Sequence, residues 1–135
     1  MIKGKRIFIV EDDPSNMAIM AVSLRQEGAI VIQDPWNSDT INRIQAMLPV
    51  DIILLDLMLR RGVSGYDIYA QITAQPDLAK SPVVVVSASD PSLEMPRARN
   101  LGMAGYITKP IRLRSFVDSV TAVMQGQAIW ASDPL

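Results

Sequence analysis

The sequence predicts an open parallel α/β sheet with helices on both faces, and three observations carry that expectation. Short β-branched runs are apolar on both alternating faces, so neither side of the strands is made for water. Segments of helical period alternate strictly with these runs, which is the pattern of β-α units joined by right-handed crossovers. With 135 residues, 49% of them hydrophobic, the chain has the size of one domain with one core.

Strands are expected at residues 6–10, 29–33, 50–55 and 82–86, and a weaker fifth at 104–107. Behind the first, Met17, Met20, Ala21 and Leu24 recur at helical spacing; Asp13-Pro14 supplies an N-cap with proline at the first helical position, and Gly28 closes the helix. Ser38 is expected to cap the second helix, whose apolar face is Ile41, Ile44 and Leu48 and which Pro49 stops. The third helix covers 65–75 with Ile68 and Ile72 inward. The fourth, 92–101, contains Pro96, which must start it late or kink it. The last begins at Pro110 and buries Leu113, Phe116, Val117, Val120 and Met124. Five strands and five helices of ordinary length need on the order of 120 residues, which leaves only a short tail. The flavodoxin-like strand order 2-1-3-4-5 is the common solution for such a doubly wound five-stranded parallel sheet.

Composition narrows the function. Thirteen basic residues against 14 acidic ones, net charge -1, argue against direct nucleic-acid binding, which shows as a basic excess or stripe. The absence of cysteine rules out a disulfide framework and thiolate metal sites; the absence of histidine removes the commonest general base and zinc ligand. No apolar run approaches the roughly 20 residues that span a bilayer, and M-I-K-G-K-R-I-F-I-V-E is too short in apolar residues for a signal peptide. These features point to a cytoplasmic chain without a membrane partner.

In open sheets, ligands bind beyond the carboxyl ends of the strands where the strand order reverses, here between strands one and three. The residues that follow the strands are Glu11, Asp12 and Asp13, then Asp56, then Ser87, then Thr108 and Lys109. Carboxylates within about 4 Å repel by roughly 4 kcal/mol per pair at an effective dielectric of 20, so cations must offset them. Mg²⁺, a hard ion suited to oxygen ligands, and Lys109 are the natural candidates. Asp13 reads better as the cap of the first helix, whereas Asp56, after the apolar run I-I-L-L, has no such role.

The segments I-F-I-V-E-D-D-P-S-N, D-I-I-L-L-D-L-M-L, V-V-V-V-S-A and G-Y-I-T-K-P occur in this order over residues 5–125. In them the chain resembles the receiver domain of bacterial two-component response regulators. The resemblance implies that Asp56 accepts a phosphoryl group and that Glu11, Asp12, Asp56 and the backbone carbonyl of Met58 hold Mg²⁺. It implies that Ser87 senses the phosphoryl oxygens, with Ala88 small enough to let it approach, and that Lys109 pairs with them. Tyr106 is the aromatic that follows the hydroxyl, and the Lys109-Pro110 bond is cis. The implied partners are a sensor histidine kinase or phosphotransfer protein and a downstream effector protein, reached through the face of helix four, strand five and helix five; a homodimer is compatible with this. On the same grounds the chain is a signalling domain rather than an enzyme. The expected organisation is a receiver domain over residues 1–125 and a C-terminal tail over 126–135 with no output domain, the start at Met1 slightly favouring a single-domain regulator over an excised fragment.

The loop after Asp56, L-M-L-R-R-G-V-S-G, departs from the family in placing Arg60 where proline is usual and in being one residue longer before Gly65. Arg60 and Arg61 read equally well as a solvated loop tip or as residues that tune partner binding. A small phosphatase is disfavoured by Met58, where such enzymes carry a second acid, and a flavin module by the acidic cluster after strand one, which repels phosphate. The alternative within the family is a degenerate receiver that serves only as an interaction scaffold.

Overall fold

The computed structural model describes residues 2–130. Its elements follow the chain as β1 (Arg6–Val10), α1 (Pro14–Gln26), β2 (Ile30–Asp34), α2 (Thr40–Ala46), β3 (Ile52–Leu55), a 3-10 turn (Arg60–Gly62), α3 (Gly65–Thr73), β4 (Val83–Ser87), α4 (Pro91–Asn100), β5 (Gly105–Thr108) and α5 (Leu113–Met124). The strands form one parallel sheet in the order β2-β1-β3-β4-β5, as the sequence predicts.

Alternation along the strands divides the core into two layers. Ile7, Ile9, Ile52, Leu54, Val84, Val86 and Ile107 pack against Met17, Met20 and Leu24 of α1 and Phe116, Val120 and Val123 of α5. Phe8, Val10, Ile53, Leu55, Val83, Val85 and Tyr106 pack on the other face against Ile44 of α2, Ile68 and Ile72 of α3 and Ala98 of α4. Each fully buried aliphatic side chain contributes roughly 1.5–3 kcal/mol, so the sheet is a firm base for whatever its carboxyl edge carries.

Helix α1 begins as expected, with the Asp13 carboxylate accepting from the Asn16 N–H at 2.8 Å and Pro14 at the first position. Ser38 does not cap α2. The helix starts at Thr40, with Asp39 at the cap position making no side-chain bond. Thr40 is recruited instead by the fully buried Asp34 at the end of β2: its hydroxyl donates to Asp34 Oδ1 at 2.7 Å and accepts from the Asn37 N–H at 2.9 Å. Asp34 also accepts from the Trp36 N–H and pairs with Arg43, so one carboxylate ties β2 to α2. Helix α4 starts at Pro91 with Asp90 as its cap and runs through Pro96 without interruption. Pro96 is exposed, and the bond it forfeits is that to the carbonyl of Ser92, which is also exposed, so the loss falls on the solvent side of the helix. Helix α5 begins at Leu113 rather than Pro110, because Arg112 is still extended. Leu113 consequently lies 59% exposed instead of in the core, while Phe116 and Val120 are buried as expected.

Asp34→Ala is expected to lower the unfolding free energy by about 2–3 kcal/mol, since Thr40 and Arg43 lose their charged acceptor. Urea unfolding at neutral pH measures this, and a loss under about 1 kcal/mol would show that the network contributes little to stability.

Candidate functional site

Register brings the acids together. Val10 is paired with Leu55 across β1 and β3, so the next residues, Glu11 and Asp56, emerge side by side. The Asp56 N–H donates to the Val10 carbonyl at 3.1 Å, and the Glu11 N–H donates to that of Asp34. Asp12 follows Glu11, and carboxylate oxygens of Glu11, Asp12 and Asp56 lie within 4.8 Å of one another. Glu11 and Asp56 are buried and Asp12 is partly open.

Lys109 arrives by the same logic from the far side. Ser87 is paired with Thr108 across β4 and β5, and the Lys109 N–H donates to the Ser87 carbonyl at 2.9 Å. Its side chain reaches back over the sheet edge, placing Nζ 2.6 Å from Glu11 Oε1 and 3.1 Å from Asp56 Oδ2. Burial pushes the Glu11 carboxyl above its ordinary value, and Lys109 works against that. Burial would lower the Lys109 ammonium, but its bonds to Glu11 and Asp56 outweigh burial and hold it above the usual lysine range. Glu11 Oε2 accepts from the Asp13 N–H at 3.1 Å, while the buried Oε1 has the Lys109 ammonium as its partner. Three carboxylates that each offer an oxygen to one small cluster are hard donors of the kind that suit a divalent ion such as Mg²⁺.

The remaining expected residues lie in or just beyond the ends of β3, β4 and β5. The Met58 N–H donates to Asp56 Oδ1 at 3.2 Å, so its backbone lies against the pocket while its side chain is 72% exposed. Ser87 is buried; its hydroxyl donates to Ser89 Oγ at 3.0 Å and accepts from the Ser89 N–H at 3.1 Å. Ala88 is exposed beside it. Tyr106 is fully buried and donates its hydroxyl to the Ser89 carbonyl at 3.2 Å. Burial pushes the Tyr106 phenol up, opposed by a hydrogen bond with Ser87. The Lys109-Pro110 peptide is cis, as is Leu48-Pro49.

Several features escaped sequence reading. The Arg60 N–H donates to Asp12 Oδ2, a contact proline could not make, and its guanidinium Nε lies 3.9 Å from the same oxygen. Arg60 is therefore part of the pocket rim, although its side chain remains 73% exposed. Gly65 has a steric reason: a Cβ there would stand 2.3 Å from the Asp56 carbonyl oxygen. Tyr66 of α3 donates to Glu94 of α4 at 2.6 Å, with the Arg97 guanidinium 4.0 Å over its ring, a tie between helices 28 residues apart in sequence.

Residues 7–121 match the response regulator receiver domain family, and the chain belongs to it. It is a receiver domain of the two-component systems, a class of signalling domain in which an aspartate accepts a phosphoryl group. Among its relatives is the protein PilH of Pseudomonas aeruginosa, 26% identical over 121 residues, covering 90% of this chain and 98% of that protein. The sensory transduction protein RegX3 of Mycolicibacterium smegmatis is 36% identical over 125 residues, covering 90% of this chain but only 51% of RegX3, so the chain spans about half of that relative. The structure of the chemotaxis response regulator CheY4 of Vibrio cholerae has the same fold, with a TM-score of 0.79 at 16% identity over 90% of this chain and 99% of that one. Among the described residues no helix is long and apolar enough to cross a membrane.

Lys109→Met is expected to destabilise the protein by about 2–4 kcal/mol near pH 7, because the buried carboxylates lose their counter-ion. Relative to the parent, the variant gains stability as pH falls from 7 toward the ordinary glutamate value of 4.5, since a Glu11 whose folded pKa is raised binds its proton more tightly folded than unfolded. Urea unfolding across that range checks both; equal loss at every pH would disprove the electrostatic origin.

Proposed function

We propose that Asp56 is the phosphoacceptor of this receiver domain and that Glu11, Asp12, Asp56 and the Met58 carbonyl hold Mg²⁺. The observation that carries this reading is the Lys109 ammonium bridging Glu11 and Asp56 at the carboxyl edge of the sheet. In the step, an Asp56 carboxylate oxygen forms a bond to phosphorus while the donor's bond to phosphorus breaks and its electron pair leaves with the donor. No proton need be removed from the nucleophile, which fits a pocket without a general base. Bound Mg²⁺ supplies charge neutralisation to the phosphoryl oxygens. Lys109 Nζ, now on Asp56 Oδ2, is placed to take a second oxygen, and the Ser87 hydroxyl a third.

The phosphodonor is a sensor histidine kinase or phosphotransfer protein, and the output is a protein contact, with an effector or a second copy, through the face of α4, β5 and α5. On this reading residues 1–125 are the receiver unit, in the cytoplasm, and 126–135 follow it as a C-terminal tail. Intact acidic, lysine and hydroxyl positions argue against a degenerate scaffold.

Intact mass after incubation with acetyl phosphate tests the reading. The expected outcome is one phosphoryl adduct on the parent, requiring Mg²⁺ and absent in Asp56→Asn. An adduct that persists in Asp56→Asn would move the acceptor elsewhere, and none under any condition would leave the scaffold.

A further inference from the structure

Beyond α5 the chain turns back along the free side of β5. Ile129 forms a parallel bridge with Gly105, and its carbonyl accepts the Tyr106 N–H at 2.7 Å. Gly105 makes this approach possible: a Cβ there would lie 2.9 Å from the Ile129 carbonyl oxygen, and the nearest atoms around it all belong to Ile129. The next two side chains part as strand neighbours do, Ile129 packing on the α1–α5 layer and Trp130 on the α2–α4 layer. The Arg99 guanidinium of α4 sits 5.7 Å over the Trp130 ring. Residues 127–130 thus add a rudimentary sixth strand to an edge of the sheet, covering part of the α4–β5–α5 face.

The hold is light. Ile129 and Trp130 are only half-buried, and a gap of about 70 Å³ lies between Ile129, β5 and Phe116 and Ser119 of α5. A segment held, among the described residues, by one bridge and half-buried side chains opens far more easily than the core. It is also bonded to the residue that reaches toward the phosphorylation pocket. From Lys109 on Asp56, hydrogen bonds run to the Ser87 carbonyl, from the Ser87 hydroxyl to Ser89, and from the Ser89 carbonyl to the Tyr106 phenol. The backbone N–H of that same Tyr106 holds Ile129.

We infer that residues 127–130 are a strap that closes the β5 edge in the unphosphorylated protein and is released when Asp56 is phosphorylated; this rests on the reading of Asp56 as phosphoacceptor. A phosphoryl oxygen is a stronger acceptor for the Ser87 hydroxyl than Ser89 Oγ. Once Ser87 turns to it, Ser89 loses a partner and the loop before α4 is freed to move, taking with it the acceptor of the Tyr106 phenol. The element with two states is the strap, docked or undocked, and the phosphoryl group biases it through Tyr106.

The test uses the full chain with Trp36→Phe, which leaves Trp130 as the single tryptophan of the two present. Acrylamide quenching and emission of Trp130 are read before and after acetyl phosphate with Mg²⁺, and intact mass scores the adduct. Phosphorylation is expected to raise the quenching constant about twofold or more and shift the emission to the red, as local undocking exposes the indole. Adding Gly105→Ala is expected to give the exposed signal at once, with no further change on phosphorylation, while the adduct still forms. Protein that carries the adduct with unchanged Trp130 quenching overturns the strap's release and leaves the phosphoacceptor standing. Absence of any adduct overturns the reading of Asp56 and the trigger together, while Gly105→Ala with parent-like quenching overturns the docked strap itself.

Discussion

The carboxyl edge of the sheet is governed by an excess of negative charge that the fold creates and only partly offsets. Pairing Val10 with Leu55 forces Glu11 and Asp56 to emerge together, Asp12 joins them, and Lys109 is the side chain that bridges the two buried acids. At about 4 kcal/mol per carboxylate pair in a medium of intermediate dielectric, the Lys109 ammonium with the exposed Arg60 guanidinium beside Asp12 does not balance three acids. The raised Glu11 carboxyl shows the strain of burial, and the raised Lys109 ammonium shows how strongly the acids hold it. Such a pocket favours any further cation. A dianionic phosphoryl group added to such a pocket would deepen the excess of negative charge unless a cation came with it.

The apolar sheet makes the arrangement durable. Two layers of buried aliphatic side chains fix the strand register, and the register fixes where each strand end falls. A slip of one residue between β1 and β3 would turn every side chain of the slipped strand to the other face, so core packing protects the site. The loop after β3 is constrained more tightly still. Gly65 lies against the Asp56 carbonyl, and Arg60 and Met58 donate backbone N–H groups to Asp12 and Asp56. The position of Asp56 is thus set from both ends of one loop.

The parts legible in the sequence were those with a strong local signal. Continuous β-branched runs mark buried parallel strands, and the functional side chains follow such runs directly, so the pocket's composition could be read before any geometry. What could not be read depends on pairs distant in sequence or on competition between neighbours. Ser38 looked like a cap because Ser is a good one, but Asp34 draws Thr40 into its own network and the helix starts one residue later, with Asp39 at the cap position. Leu113 fits the apolar period of α5, yet it falls in the first turn, before the helix reaches the sheet. The Tyr66–Glu94 bond and the Ile129–Gly105 bridge join residues 28 and 24 positions apart and leave no periodic trace.

Tyr106 is where these layers meet. Its phenol is spoken for by the loop that follows β4, its backbone N–H by the segment that follows α5, and its ring by the α2–α4 core layer. Buried on all sides, it cannot change one of these relations without straining the others, because close-packed interiors shift between discrete arrangements rather than deforming smoothly. Among the described residues, the outer side of β5 is paired only by the Gly105–Ile129 bridge, so this edge is lightly held. Hydrogen bonds thus connect Lys109 on Asp56, by way of Ser87 and Ser89, to Tyr106, and Tyr106 to residues 127–130 at the sheet edge.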